Sequence, residues 1–231
     1  MDSIIQNIVS SATLRNWTRL HTDSTDRLTN RVNKVASKKT VLPKNYIKDS
    51  VCRAKVEKAV TTLSQLKDGI SDIIYTLCIC KLQLFNILDK DNVRLVLNDY
   101  QHYNYINNLN IDINILNGRY DSIGYIYQAL NSEGNRNSLG QYYTGRDIVL
   151  SMVNNISLEN KIFLDPCCGS GSFLMNVDTD HPENLYGVDI DMLSVLIAKT
   201  NLLCKYKNID FIPNIYCFDF LADIDMYSSV G

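Results

Sequence analysis

From residue 3 to about 107 the apolar residues recur at helical spacing. Val51, Ala54, Val56, Val60 and Leu63 return at intervals of two to four, and Ile70, Ile73, Ile74 and Leu77 share one helix face, so this stretch is expected to be all-helical. Pro43, in TVLPKNY, fixes φ and lacks an amide hydrogen, which interrupts any helix there. The Asn-rich NYINNLNIDINILNGRYD alternates polar positions with Ile and Leu and fits a short hairpin or an irregular connection. The pattern then changes. Helices are expected at SIGYIYQAL, over about 145–155, opening near Ser172 and over about 191–205; strands are expected at KIFLD, at LYGVD and within FIPNIYCFD. Strands separated by helices imply right-handed crossovers and a parallel sheet. The expected architecture is α/β, with a helical domain over 1–115 and a sheet-bearing domain over 116–231.

Composition narrows this picture. With 231 residues, 45% hydrophobic and 21% charged, the chain can bury a core. Its most apolar segment, DGISDIIYTLCICKLQLFNILDK, is bracketed and interrupted by charges, which argues against a membrane span. The start, MDSIIQNIVSSATLRNW, carries an acid where a secretory signal carries positive charge, so a cytoplasmic location and no membrane partner are expected. None of the seven cysteines forms a CxxC pair, so reduced thiols and no metal site are expected. Adjacent Cys167 and Cys168 suit a tight turn better than catalysis, because no base is evident beside them. The net charge of −2 conceals an asymmetry: residues 1–60 hold 12 Lys/Arg against 5 Asp/Glu, the remainder 11 against 20. The basic RVNKVASKKTVLPKNYIKDSVCRAKVEKAV can face nucleic-acid phosphates or form a solvated helical surface.

The chemistry is expected just after each strand, since parallel α/β sheets bind ligands beyond their carboxyl ends. Asp165, Asp189 and Asp219 stand there in succession, beside the turn Gly169-Ser170-Gly171. Each acid alone fits a cap or turn; together with glycines that admit positive φ and close ligand approach they form a constellation. A phosphate loop is excluded because no GxxxxGK[ST] occurs, and Leu174 occupies the third-glycine position of the dinucleotide fingerprint. Asp189, 18 residues beyond Gly171, suits the ribose of either a nicotinamide dinucleotide or S-adenosylmethionine.

The stretch DPCCGSGSF resembles DPxxGxGxF, the first motif of amino-methylating DNA methyltransferases. GQYYTGRDIV lies upstream, where the adenine-specific gamma class carries G-x-[FY]-[FY]-T-P. From about residue 120 onward the chain is similar to the methylation subunit of a type I restriction-modification system, or to the methylase region of a related fused type II enzyme. This resemblance implies a Rossmann-like, S-adenosylmethionine-dependent methyltransferase sheet behind a helical N-terminal domain. It assigns Gln141, Tyr142, Tyr143 and Thr144 to the methionine end of the cofactor, with Thr144 at its carboxylate. Thr144 also precedes a helix with Asp147 three residues on, a capping-box-like arrangement that suits an anion. Gly145 stands where the family has proline, which loosens the first turn. Asp165 and Pro166, with Gly169, Ser170 and Gly171, would lie along the methionine moiety, Asp165 meeting its ammonium; Asp189, followed by Ile190, would take the ribose; Asp219 and Phe220 would take the adenine. Asp191 reads as the N-cap of MLSVLIAKTNLL.

The family's [ND]PP[YFW] motif, which receives the extruded adenine, has no counterpart, because the only prolines are 43, 166, 182 and 213. No catalytic residue is therefore assigned, and a fragment inactive by itself is expected. Double-stranded DNA, a specificity subunit and a second copy of the chain are the partners considered. The competing reading is a noncatalytic DNA- or subunit-binding module on the same scaffold.

Overall fold

The computed structural model describes residues 47–118, 120–131, 144, 146–154, 156 and 161–220. Pro43 and most of the basic N-terminal stretch fall outside them.

Helix α1 (Ser50–Leu63) starts where the Asp49 carboxylate accepts from the amides of Val51 and Cys52. Its buried stripe is Val56, Ala59 and Leu63. Val51 is 67% exposed and Ala54 is exposed, so the expected stripe is corrected: spacings of three and four fall on one side of the helix, and these two residues lie off it. Helix α2 (Ile70–Leu84) buries every residue from Thr76 to Leu82, including Lys81. Such a helix is enclosed on all sides. It ends where Asn86 adopts φ 55° and the Ile87 amide bonds back to the Leu82 carbonyl, a left-handed helix stop. Helix α3 (Asp91–Asn98) follows; the Asn-rich connection is irregular and closes with a 3-10 turn, Ile113–Asn117. Helix α4 (Ser122–Leu130) is capped by Asp121, and α5 covers Arg146–Val153.

Strands β1 (Phe163–Asp165), β2 (Leu185–Asp189) and β3 (Asn214–Cys217) form a parallel sheet in the order β1-β2-β3. Between them run α6 (Ser172–Asn176) and α7 (Met192–Lys205). Every expected strand and helix of this half is present, with ends shifted by a few residues. Asp219 lies two residues past β3, although the Phe218 amide still pairs with the Asp189 carbonyl.

Helix α7 holds the layers together. Its Val195, Ala198 and Leu202 pack with Leu185, Ile215 and Leu174 on the sheet side. Its Leu196 and Ile197 join α1, α2 and α4 on the other side, and Leu203 and Cys204 join Leu82 and Val93. Each such burial is worth roughly 1.5–3 kcal/mol, which explains an apolar surface all round this helix. The change of pattern near residue 116 falls inside the 3-10 turn, and packing continues across it: Ile123, Tyr125, Ile126 and Tyr127 of α4 share the core of α1 and α2. No described helix is long and apolar enough to cross a membrane.

Candidate functional site

The turn after β1 is built from its own residues outward. Gly169 and Gly171 have φ of 52° and 86°, in the left-handed region that favours glycine. A Cβ on Gly171 would lie 3.2 Å from the Ala198 Cβ, so the turn sits directly on α7. Three amides of the turn are already bonded: Cys168 N donates to the Val188 carbonyl, Gly171 N to the Cys168 carbonyl, and Gly169 N to Asp189 Oδ2 at 2.8 Å. Helix α6, opened by Gly171 without a side-chain cap, is only five residues long.

Asp189 also accepts from the Asp191 amide through Oδ1 at 2.9 Å, so both of its oxygens tie backbone together at the end of β2. Burial pushes its carboxyl above the ordinary value, against the pull of the amides of Asp191 and Gly169. Asp165 accepts from Cys167 N through Oδ1 at 3.3 Å, while its buried Oδ2 has no hydrogen-bond partner among the described residues. Its carboxyl is pushed up first by burial and further by Asp189; the Cys167 amide opposes this. Asp219 completes the group. The Cys167 thiol is pushed up by burial and then by Asp189, Asp165 and Asp219, so all three expected acids act on one point. A thiol held protonated in this way is a poor nucleophile. Cys168 is 4% exposed and also pushed up, first by burial.

The other expected residues are placed as follows. Pro166 is exposed and Ile190 is 55% exposed beside Asp189; Phe220 is half-buried, next to Asp219. Asp191 caps α7 by accepting from the amides of Leu193 and Ser194 and from the Ser194 hydroxyl. Gln141, Tyr142, Tyr143 and Gly145 lie outside the described residues. Thr144 is half-buried before α5, and the Asp147 carboxylate forms an ion pair with Lys48.

Thr144 and Ser170 line a cavity of about 290 Å³ together with Lys81, Asp121, Arg146 and Asn201. Its wall also includes Met175, Asn176, Cys204 and Lys205, late in α6 and α7, and so it runs from the turn away from the carboxyl edge of the sheet. Asp165, Asp189 and Asp219 are not part of its lining. The three strand-end acids act at the carboxyl edge instead, on the Cys167 side of the turn.

Sequence reasoning missed what supports the turn from below: Asn201, Lys81 and Asp121, joined by hydrogen bonds. One signal was available, a single lysine inside the apolar run IIYTLCICKLQL.

Residues 118–221 match the N-6 DNA Methylase family. Over 108 residues the chain is 32% identical to the type II methyltransferase M.VspI of Vibrio sp. (strain 343), an alignment covering 44% of this chain and 26% of that protein. The chain thus spans about a quarter of that relative's length. No solved structure matches it. The glycine turn and the acids at the strand ends lie inside the matched segment, so it is the site-bearing part of the chain, residues 118–221, that is similar to the N-6 DNA methylase family.

Proposed function

We propose that this chain carries the S-adenosylmethionine-binding part of a DNA adenine-N6 methyltransferase of restriction-modification type, built on a Rossmann-like half-sheet. The observation that carries the reading is the buried Asp165 Oδ2, without a partner among the described residues, next to Cys167, whose thiol is also acted on by Asp189 and Asp219. A dinucleotide brings an anionic pyrophosphate, which needs free amide donors and repels carboxylates. Here the amides of Gly169 and Gly171 are already donated, and three acids act on the turn. S-adenosylmethionine brings a sulfonium and an ammonium, and a nearby cation favours the ionised form of a buried carboxylate. The residues present fit such a ligand.

Bound there, the cofactor supplies an electrophilic methyl group. Asp165 would accept from its ammonium and Thr144 would hold its carboxylate. Asp189 keeps acceptor capacity for the ribose hydroxyls, since each carboxylate oxygen has a second lone pair beyond its backbone bond. Asp219 and Phe220 would receive the adenine. The substrate proposed is adenine in double-stranded DNA, and no residue of this chain is assigned to that acceptor. Calorimetric titration tests the reading: S-adenosylmethionine should bind with a measurable dissociation constant and oxidised nicotinamide dinucleotide should not. Binding of the dinucleotide in its place would overturn it.

A further inference from the structure

We propose that Asn201 is a positioning residue for the glycine turn, and that through it the packing of the helical layer sets the conformation of the site. The proposal rests on the cofactor reading for its ligand measurement alone.

Asn201 stands on α7 three residues after Ala198, the residue on which Gly171 is seated, so both face the turn. Its side chain is 1% exposed. Lys81 Nζ donates to its Oδ1 at 2.6 Å, while its Nδ2 donates to the Ser170 carbonyl at 3.0 Å and to Asp121 Oδ1 at 3.1 Å. The two ends of an asparagine amide are alike in shape and opposite in chemistry, one accepting and the other donating. Lys81 can only donate, and the Ser170 carbonyl and the Asp121 carboxylate can only accept. These three neighbours leave a single amide orientation, the one that holds the carbonyl at the centre of Gly169-Ser170-Gly171.

The anchors come from separate places. Lys81, 5% exposed, belongs to α2; Asp121 caps α4 by accepting from Gly124 N. Gly124 permits the approach, because a Cβ there would overlap Asp121 Oδ2 and lie 2.8 Å from Ser170 Oγ. The site edge is thereby held from behind by two helices of the helical layer.

The test separates positioning from mere stability. In Asn201→Asp the Ser170 carbonyl and Asp121 both lose their donor. In the exchange Asp121→Asn/Asn201→Asp, the amide introduced at 121 can donate back to position 201, but the Ser170 carbonyl still lacks a donor. Using the full chain, three quantities are measured: thermal midpoint, affinity for S-adenosylmethionine, and the amide resonances of Gly169 and Gly171. The single variant should lose about tenfold in affinity, the size of one net hydrogen bond, and shift both resonances. The exchange should recover much of the midpoint while affinity and resonances stay displaced. Affinity and resonances that return together with the midpoint would overturn the proposal.

If Asn201→Asp does not fold, Lys81→Met removes only the donor that orients the amide while keeping an unbranched apolar stem. Shifted turn resonances support the proposal, and unchanged ones defeat it. A wild-type chain that binds no S-adenosylmethionine would defeat the cofactor reading, and the resonances would still decide the role of Asn201.

Discussion

Strands β1 and β2 both end in aspartate, and the two carboxylates are used differently. Asp189 spends both oxygens on backbone amides, one in the glycine turn and one at the start of α7, so it clamps the two ends together. Asp165 spends one oxygen on Cys167 N, and its other oxygen is buried without a partner among the described residues. Burial raises both carboxyls, but the amides of Asp191, Gly169 and Ile190 stabilise the charge on Asp189 where that of Cys167 alone does so for Asp165. The contrast separates a carboxylate with both oxygens on backbone amides from one with an oxygen left over. An uncompensated buried acceptor costs stability, and a donor brought by a bound molecule would recover that cost.

The largest effect on stability should come from Asp189→Asn. An amide presents one acceptor where two backbone amides point, and the lost charge-assisted bond should cost roughly 1.5–3 kcal/mol in urea unfolding. A change below about 0.5 kcal/mol, the range of an inconsequential surface substitution, would end the view of Asp189 as a clamp.

Gly171→Ala acts on the turn that joins the two ends. A methyl group at φ 86°, 3.2 Å from the Ala198 Cβ, should cost about 1–2 kcal/mol, read as a lowered thermal midpoint. Asp191→Ala, which removes the cap of α7 but leaves the Asp191 amide on Asp189, should cost about 1 kcal/mol in the same assay.

Asp165→Asn should have the smallest effect on stability at neutral pH, within about 0.5 kcal/mol or slightly stabilising, because it removes a charge that burial opposes. Affinity for S-adenosylmethionine should nonetheless fall, and calorimetry on wild type and variant checks this. A variant that binds as tightly as wild type would erase the distinction between the two aspartates. The pH dependence sharpens the point. The native carboxyl of Asp165 lies above its ordinary 3.8, so between these values the native state binds more protons than the unfolded state. Stability falls as pH rises through that window, and the penalty is fully present above the raised value. Any advantage of Asp165→Asn should therefore appear above the window and vanish as pH drops towards 3.8, as measured by urea unfolding across a pH series. Asp189 contributes with the same sign, so the variant should retain part of the wild-type slope.

Features made by neighbours in the chain were legible from sequence. The cap at Asp191, the three strand segments, the turn at Gly169 and Gly171 and the placement of Asp165 and Asp189 at strand ends all arise within a few residues. In such segments the backbone has little choice once glycine, aspartate and apolar alternation are placed. Even here Val51 and Ala54 misled, because several phases of one helix fit a run of moderately apolar residues and only the neighbouring helices select one.

What tertiary structure alone decided is how polar groups far apart in sequence divide their partners. Lys81 and Asn201 are separated by 120 positions, Asp121 and Asn201 by 80, and Asn201 and Ser170 by 31. No periodicity links such positions; burial brings them together and then requires each donor to meet an acceptor. The same holds for the two strand-end acids. By itself the sequence determined that a carboxylate stands at or just past the end of each strand, beside a glycine turn. Packing determined that the second Asp189 oxygen would meet Gly169 N, 20 positions away, while one oxygen of Asp165 would be buried without a partner among the described residues, because that depends on where α7 sets the turn.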